Sequence, residues 1–89
     1  MTFQSRTFAR FWQRYDELSP EMQRQADKQY ALFRENPLQP SLPLKAVGPF
    51  WSVRVSGSHR ALALRKGDVF HWFWIGSHDE YEEILKRPK

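Results

Sequence analysis

The apolar period of this chain changes once, near Phe50, and that change limits what it can fold into. Before it, Phe8, Phe11, Trp12, Tyr15 and Leu18 recur at steps of three and four, which lines one face of a helix. Thr7 stands in the N-cap position, and a short strand is expected just before it, over residues 2–5. Ser19-Pro20-Glu21 then opens a second helix: a capping hydroxyl, a proline at the first helical position and an acid in the first turn. Met22, Ala26, Tyr30 and Phe33 form its apolar stripe, and Asn36-Pro37 ends it, because the residue before proline is pushed out of the α region. Two helices joined by so tight a break form an antiparallel hairpin.

Past Phe50 the period is two. Trp51, Val53 and Val55 alternate with Phe50, Ser52 and Arg54, the pattern of a strand. Gly57-Ser58 is a turn. Over residues 59–65, Arg60, Leu62 and Leu64 share one strand face and His59, Ala61 and Ala63 the other. Lys66-Gly67-Asp68 is a hairpin turn, and residues 69–75 are apolar or aromatic at nearly every position. Such a run predicts a central strand covered on both sides. Gly76 ends it. Ser77 followed three residues later by Glu80 is a capping box, so a last helix is expected over His78–Lys86. Between helices and strands, Pro37, Pro40, Pro43 and Pro49 make residues 36–49 a stiff extended loop. The expected fold is α+β: an N-terminal helical hairpin packed on a small antiparallel sheet, with a short C-terminal helix.

With 89 residues there is room for one domain, taken as residues 1–89. There is no Cys, so disulfides, thiolate metal sites and Cys nucleophiles are excluded. Apolar residues make up 40% and charged residues 27%, which suits a folded rather than a disordered chain. No apolar run approaches the roughly 20 residues of a membrane span, and no charged-then-apolar signal pattern opens the chain. The expected location is the cytoplasm. Net charge is +4, and it is unevenly spread. Residues 36–76 hold Lys45, Arg54, Arg60, Arg65 and Lys66 against Asp68 alone. A polyanionic partner or a merely solvated basic surface would each account for it.

No phosphate-cradling glycine loop or His-Glu-x-x-His pattern occurs, and His59, His71 and His78 do not share metal-ligand spacing. Arg54 lies mid-strand, and pairing of the flanking strands brings Arg60 near the Ser52–Arg54 segment. They are either a phosphate-binding pair, since guanidinium forks match phosphate oxygens, or two surface arginines covering apolar sheet atoms. His78 and Tyr81 are three apart on the last helix and share a face. Their alternatives are an acid/base group with a phosphate-orienting phenol, or a first-turn histidine with a packing tyrosine. Trp72 and Trp74, two apart on a strand, favour core packing over base stacking.

Taken together, Leu32–Lys45 (LFRENPLQPSLPLK), Trp51–Leu62 (WSVRVSGSHRAL) and Trp72–Tyr81 (WFWIGSHDEY) resemble the RelE/ParE toxin superfamily of bacterial type II toxin–antitoxin systems. The resemblance covers nearly the whole chain. It implies a small basic toxin held inactive by a cognate antitoxin. RelE-like members act at the ribosome, cleave mRNA through the RNA 2′-hydroxyl, and need no metal or other cofactor. Carried over, Arg60, His78 and Tyr81 match the catalytic positions, and Arg54, Lys45 and Arg65 match basic residues that would hold RNA phosphates. Ser52 stands where a second strand base is usual, and no Glu stands on the sheet as a base. ParE-like members share the fold but poison DNA gyrase. A third alternative is a degenerate toxin that only binds its antitoxin.

Overall fold

The computed structural model describes residues 4–86. The chain runs β1 (Gln4–Thr7), α1 (Ala9–Asp16), α2 (Pro20–Glu35), β2 (Leu44–Val47), β3 (Phe50–Ser56), β4 (His59–Lys66), β5 (Val69–Ser77) and α3 (His78–Lys86). The five strands form one sheet in the order β1-β5-β4-β3-β2. Pairing is antiparallel from β2 through β5, and β1 lies parallel to β5 at the edge. The sheet is therefore mixed, where the sequence pattern predicts an antiparallel one.

Local chemistry accounts for most boundaries. The Ser19 hydroxyl accepts from the Met22 N–H at 3.1 Å and caps α2, with Pro20 at its first position. Thr7 does not cap α1; Phe8 occupies that position without a side-chain bond, and the Thr7 hydroxyl accepts from Trp12 Nε1 at 2.7 Å. The early strand falls at Gln4–Thr7, while Thr2 and Phe3 of the expected segment lie outside the described residues. Gly48 and Gly67 open the two-residue loops between β2 and β3 and between β4 and β5. Their φ angles of 57° and 58° are the left-handed values such hairpins require.

Two apolar layers sandwich the sheet. On one face, Phe33 and the partly buried Phe11, Tyr15 and Met22 of the helical hairpin pack on Val53, Val55, Ala61, Phe70, Trp72 and Ile75. On the other, α3 lays Tyr81, Ile84 and Leu85 over Phe50, Leu62 and Trp74. A bulge in the β4–β5 pairing explains how one strand serves both. Leu62 pairs with Trp74 and its neighbour Ala63 pairs with Trp72, leaving Phe73 as the extra residue. Trp72 and Trp74 consequently point to opposite faces despite their spacing of two. No helix among the described residues is long and apolar enough to cross a membrane.

Candidate functional site

Arg54 on β3 and Arg60 on β4 are direct register partners, so their side chains leave the same sheet face. That is the face carrying α3. The pairing breaks one residue later, with a shift between Arg54 and Ser56 beside the Gly57-Ser58 turn. Arg60 is partly buried there. Its Nη1 donates to the Ser56 carbonyl at 2.6 Å and to the His59 carbonyl at 2.9 Å. These two bonds fix the guanidinium by one edge, and its other N–H groups make no further hydrogen bond among the described residues. Arg54 is exposed, and its guanidinium has no hydrogen-bond or ion-pair partner among them. Two like charges side by side on neighbouring strands repel one another, so the pair is suited to a bridging anion.

The first turn of α3 closes the site from the sheet's end. The His78 N–H donates to the Ser58 carbonyl at 2.8 Å, which joins the helix start to the β3–β4 turn. The Tyr81 ring lies 6.0 Å from the Arg60 guanidinium carbon, a cation–π arrangement. The His78 and Tyr81 rings are 5.7 Å apart. Tyr81 is 6% exposed and belongs to the apolar layer with Leu62 and Trp74, so it packs as well as facing Arg60. His78 is half-exposed, and its Nε2 lies 3.4 Å from Glu82 Oε1, one turn along the helix. His59 starts β4 with its Nδ1 2.8 Å from the Ser58 hydroxyl.

Arg54, Arg60, His78 and Tyr81 thus come together. Lys45 extends the set along the edge. It pairs with Ser52 and shares the face of Arg54, two residues further along β3. Arg65 does not join them. It pairs with Phe70 on the helical-hairpin face, where its guanidinium lies over the rings of Trp51 and Phe70 at 5.5 and 5.4 Å. Its Nε donates to the Gly67 carbonyl at 2.8 Å. The odd-even alternation from Arg60 along β4 already sets Arg65 on the opposite face.

The support behind α3 comes from α1 and from the helix's own first turn. Arg14 of α1 donates from Nε to the Ile75 carbonyl at 2.8 Å and from Nη2 to both Glu80 oxygens at 3.0 and 2.9 Å. Its guanidinium also lies 5.2 Å from the Trp74 ring centroid. Glu80 Oε1 accepts from the Ser77 N–H and hydroxyl, and the Glu80 N–H donates back to Ser77 Oγ, all at 3.2 Å. The capping box is complete, and Arg14 locks it to the hairpin. The Ser77 N–H and the Arg14 guanidinium hold the Glu80 carboxyl below its usual value. Glu82 was also missed as a partner; the i, i+4 spacing from His78 is its signal.

No protein-family model and no curated protein sequence matches the chain. Solved structures do. The RelE toxin in the RelB–RelE antitoxin–toxin complex of Methanococcus jannaschii superposes with a TM-score of 0.73 at 10% identity, over 89% of this chain and 96% of that one. The isolated Escherichia coli RelE toxin gives 0.63 at 16% identity, over 97% and 98%. The YoeB/ParE toxin of Agrobacterium tumefaciens gives 0.63 at 13% identity, over 85% and 99%. These matches cover most of each chain, and the architecture of this chain is that of the RelE/ParE toxin fold.

Proposed function

We propose that this protein is the toxin of a toxin–antitoxin pair and a ribosome-dependent, metal-independent mRNA endoribonuclease of the cytoplasm. The observation that supports it is the meeting of Arg54 and Arg60 with Tyr81 and His78 at one end of the sheet. A 2′-hydroxyl attack on the neighbouring phosphate forms a P–O2′ bond through a crowded dianionic phosphorane, and the P–O5′ bond then breaks, so that the 2′-oxygen loses a proton, the leaving 5′-oxygen gains one and a 2′,3′-cyclic phosphate remains. Arg60, held by two carbonyls, presents fixed positive charge to the phosphorane. Arg54 and Lys45 hold the adjoining phosphates. His78 is placed to move a proton to or from the reacting oxygens, and Tyr81 orients the phosphate from beneath Arg60. The partners in this reading are the ribosome with its mRNA, and a cognate antitoxin. Two of the matched structures are complexes of RelE with RelB.

The test is induced expression of wild type and of Arg60→Ala and His78→Ala in a bacterial host, with pulse labelling and primer extension on a reporter mRNA. Wild type should stop translation with discrete cuts. Arg60→Ala should reduce cutting by about 100-fold, the range for removing one transition-state charge donor, and His78→Ala by roughly 100-fold or more for lost acid–base help. Continued translation with a rising DNA-damage response would replace this reading with gyrase inhibition. Normal growth despite folded protein would leave only antitoxin binding.

A further inference from the structure

On the sheet face opposite the arginine pair, α1 rests on β5 and α2 on β3, and an apolar cleft stays open between the two helices. Val55 and Ala61 of the sheet lie at its floor, and Trp12 and Tyr15 of α1 and Tyr30 of α2 stand around it. Trp12 and Tyr30 form part of its rim and are 47% and 40% exposed. Each of the three rings is pinned by its polar end. Trp12 Nε1 donates to the Thr7 hydroxyl at 2.7 Å, the Tyr15 hydroxyl to Asp27 Oδ1 at 2.7 Å and the Tyr30 hydroxyl to Ser5 Oγ at 3.2 Å. The Trp12 and Tyr15 planes stand at 78° with centroids 5.3 Å apart. Rings fixed in this way keep their π surfaces in place, and little side-chain freedom remains to be lost on binding.

Charge sets the class of ligand. The chain carries +4, yet no Lys, Arg or His lines the cleft, and Asp27 is the one charged residue among the described residues that do. It is exposed at the rim, and its Oδ2 makes no hydrogen bond or ion pair among the described residues. Asp16 adds to the field: burial first, then Asp27 and lastly Asp16 push the Tyr15 phenol up to about 12. Aromatic faces and a carboxylate attract a cation, and the apolar floor disfavours one that must keep a full hydration shell. The cavity measures about 70 Å³, several times what one water needs and far below a drug-sized pocket. It takes one small head group, whose stem leaves past Trp12 and Tyr30. A protein partner would need far more surface than one head group fills.

We propose that this cleft is a binding site for a small organic cation, an alkylated ammonium head whose methyl groups rest on Trp12, Tyr15 and Tyr30 and whose charge faces Asp27. The site lies on the face away from Arg60 and goes beyond the ribonuclease reading.

The experiment is titration of the ¹⁵N-labelled protein with three probes, following the indole N–H of Trp12. The probes are choline, its uncharged isostere (the alcohol with carbon in place of the ammonium nitrogen) and a short peptide carrying trimethyl-lysine. Choline should shift the Trp12 indole and leave that of Trp74, on the opposite face, in place. The isostere should bind about five- to thirtyfold more weakly, the range from a half-exposed to a desolvated cation–π contact. Asp27→Asn keeps an acceptor for the Tyr15 hydroxyl and removes the charge, while Trp12→Leu keeps an apolar wall and removes the π face. Each should weaken choline by about threefold or more and leave the isostere's affinity unchanged. Melting temperatures equal to wild type separate lost binding from lost folding, and the comparison of choline with its isostere needs no variant at all. Equal binding of the two would reduce the cleft to a plain apolar pocket and overturn the proposal, as would an unmoved Trp12 indole. Tighter binding of the trimethyl-lysine peptide than of choline would hand the site to a protein partner and overturn the small-molecule assignment. None of these outcomes bears on the arginine site, which mRNA cleavage tests separately.

Discussion

Gly76 shows how closely α3 is fitted to the sheet. A Cβ added there would lie 2.6 Å from Trp74 Cζ2, 2.8 Å from Arg14 Nη2 and 3.0 Å from Glu80 Oε1. The Arg14 tip can move, but the Trp74 ring is buried at 8% exposure and cannot. Gly76→Ala should therefore cost about 1–3 kcal/mol by overpacking, read as a lower urea midpoint at unchanged slope. Tyr15 makes the alkaline counterpart. Burial first, then its 2.7 Å hydrogen bond to Asp27, pushes its phenol from 10.0 up to about 12. A raised folded value means the stabilisation is complete below pH 10 and is lost as pH rises toward 12. Chemical denaturation at pH 9, 10.5 and 12 should show this fall, and Tyr15→Phe should flatten it. At this scale the sequence was partly legible. The adjacency of Arg54 and Arg60 followed from strand alternation and a short turn. The opposed faces of Trp72 and Trp74 did not, because a bulge adds one residue to the count and no local motif marks it. Nor did the tie from Arg14 to Glu80, which joins side chains far apart in sequence.

α3 was legible to its ends, since Ser77 and Glu80 cap one end and Lys86 suits the other. β2 was not. Its Leu44–Val47 segment sits among prolines and alternates too briefly to stand out from an extended loop. The Gly48-Pro49 pair that closes its hairpin was the available signal. The attachment of α3 carries its own pH test. Glu80 titrates below its usual 4.5, so its contribution is full above that value and is lost as pH falls through the lowered one. Amide exchange in α3 should accelerate on acidification through this range while β3–β5 stay protected. Arg14→Ala should produce the same α3-selective exchange at neutral pH, with a global loss of about 1–2 kcal/mol for a carboxylate-bound, carbonyl-bound arginine that is a third exposed. Uniform acceleration across the sheet would show that α3 and the sheet open as one unit.

The core is small, so single aromatic residues hold much of it. Phe70 is 1% exposed, and its ring meets those of Phe33, Trp51 and Trp72 at centroid distances of 5.0, 5.7 and 6.3 Å. Phe70→Ala should cost about 3–5 kcal/mol, against a total of roughly 4–13 kcal/mol for a chain of this length. The variant should show no cooperative melt above about 40 °C by circular dichroism. The helical hairpin, the meander and the terminal helix all followed from periodicity and turn chemistry. The parallel seat of β1 did not, because four residues carry no period and their partner lies at the other end of the chain. That seat has a consequence for how the protein is made. Residues 4–7 are translated well before the strand they pair with, residues 69–72. At ordinary elongation rates the early strand waits for on the order of several seconds, and the arginine pair gains its histidine and tyrosine later still. During synthesis, therefore, β1 is held without its sheet neighbour until β5 has been made, so the edge strand joins the sheet last although it comes early in the chain.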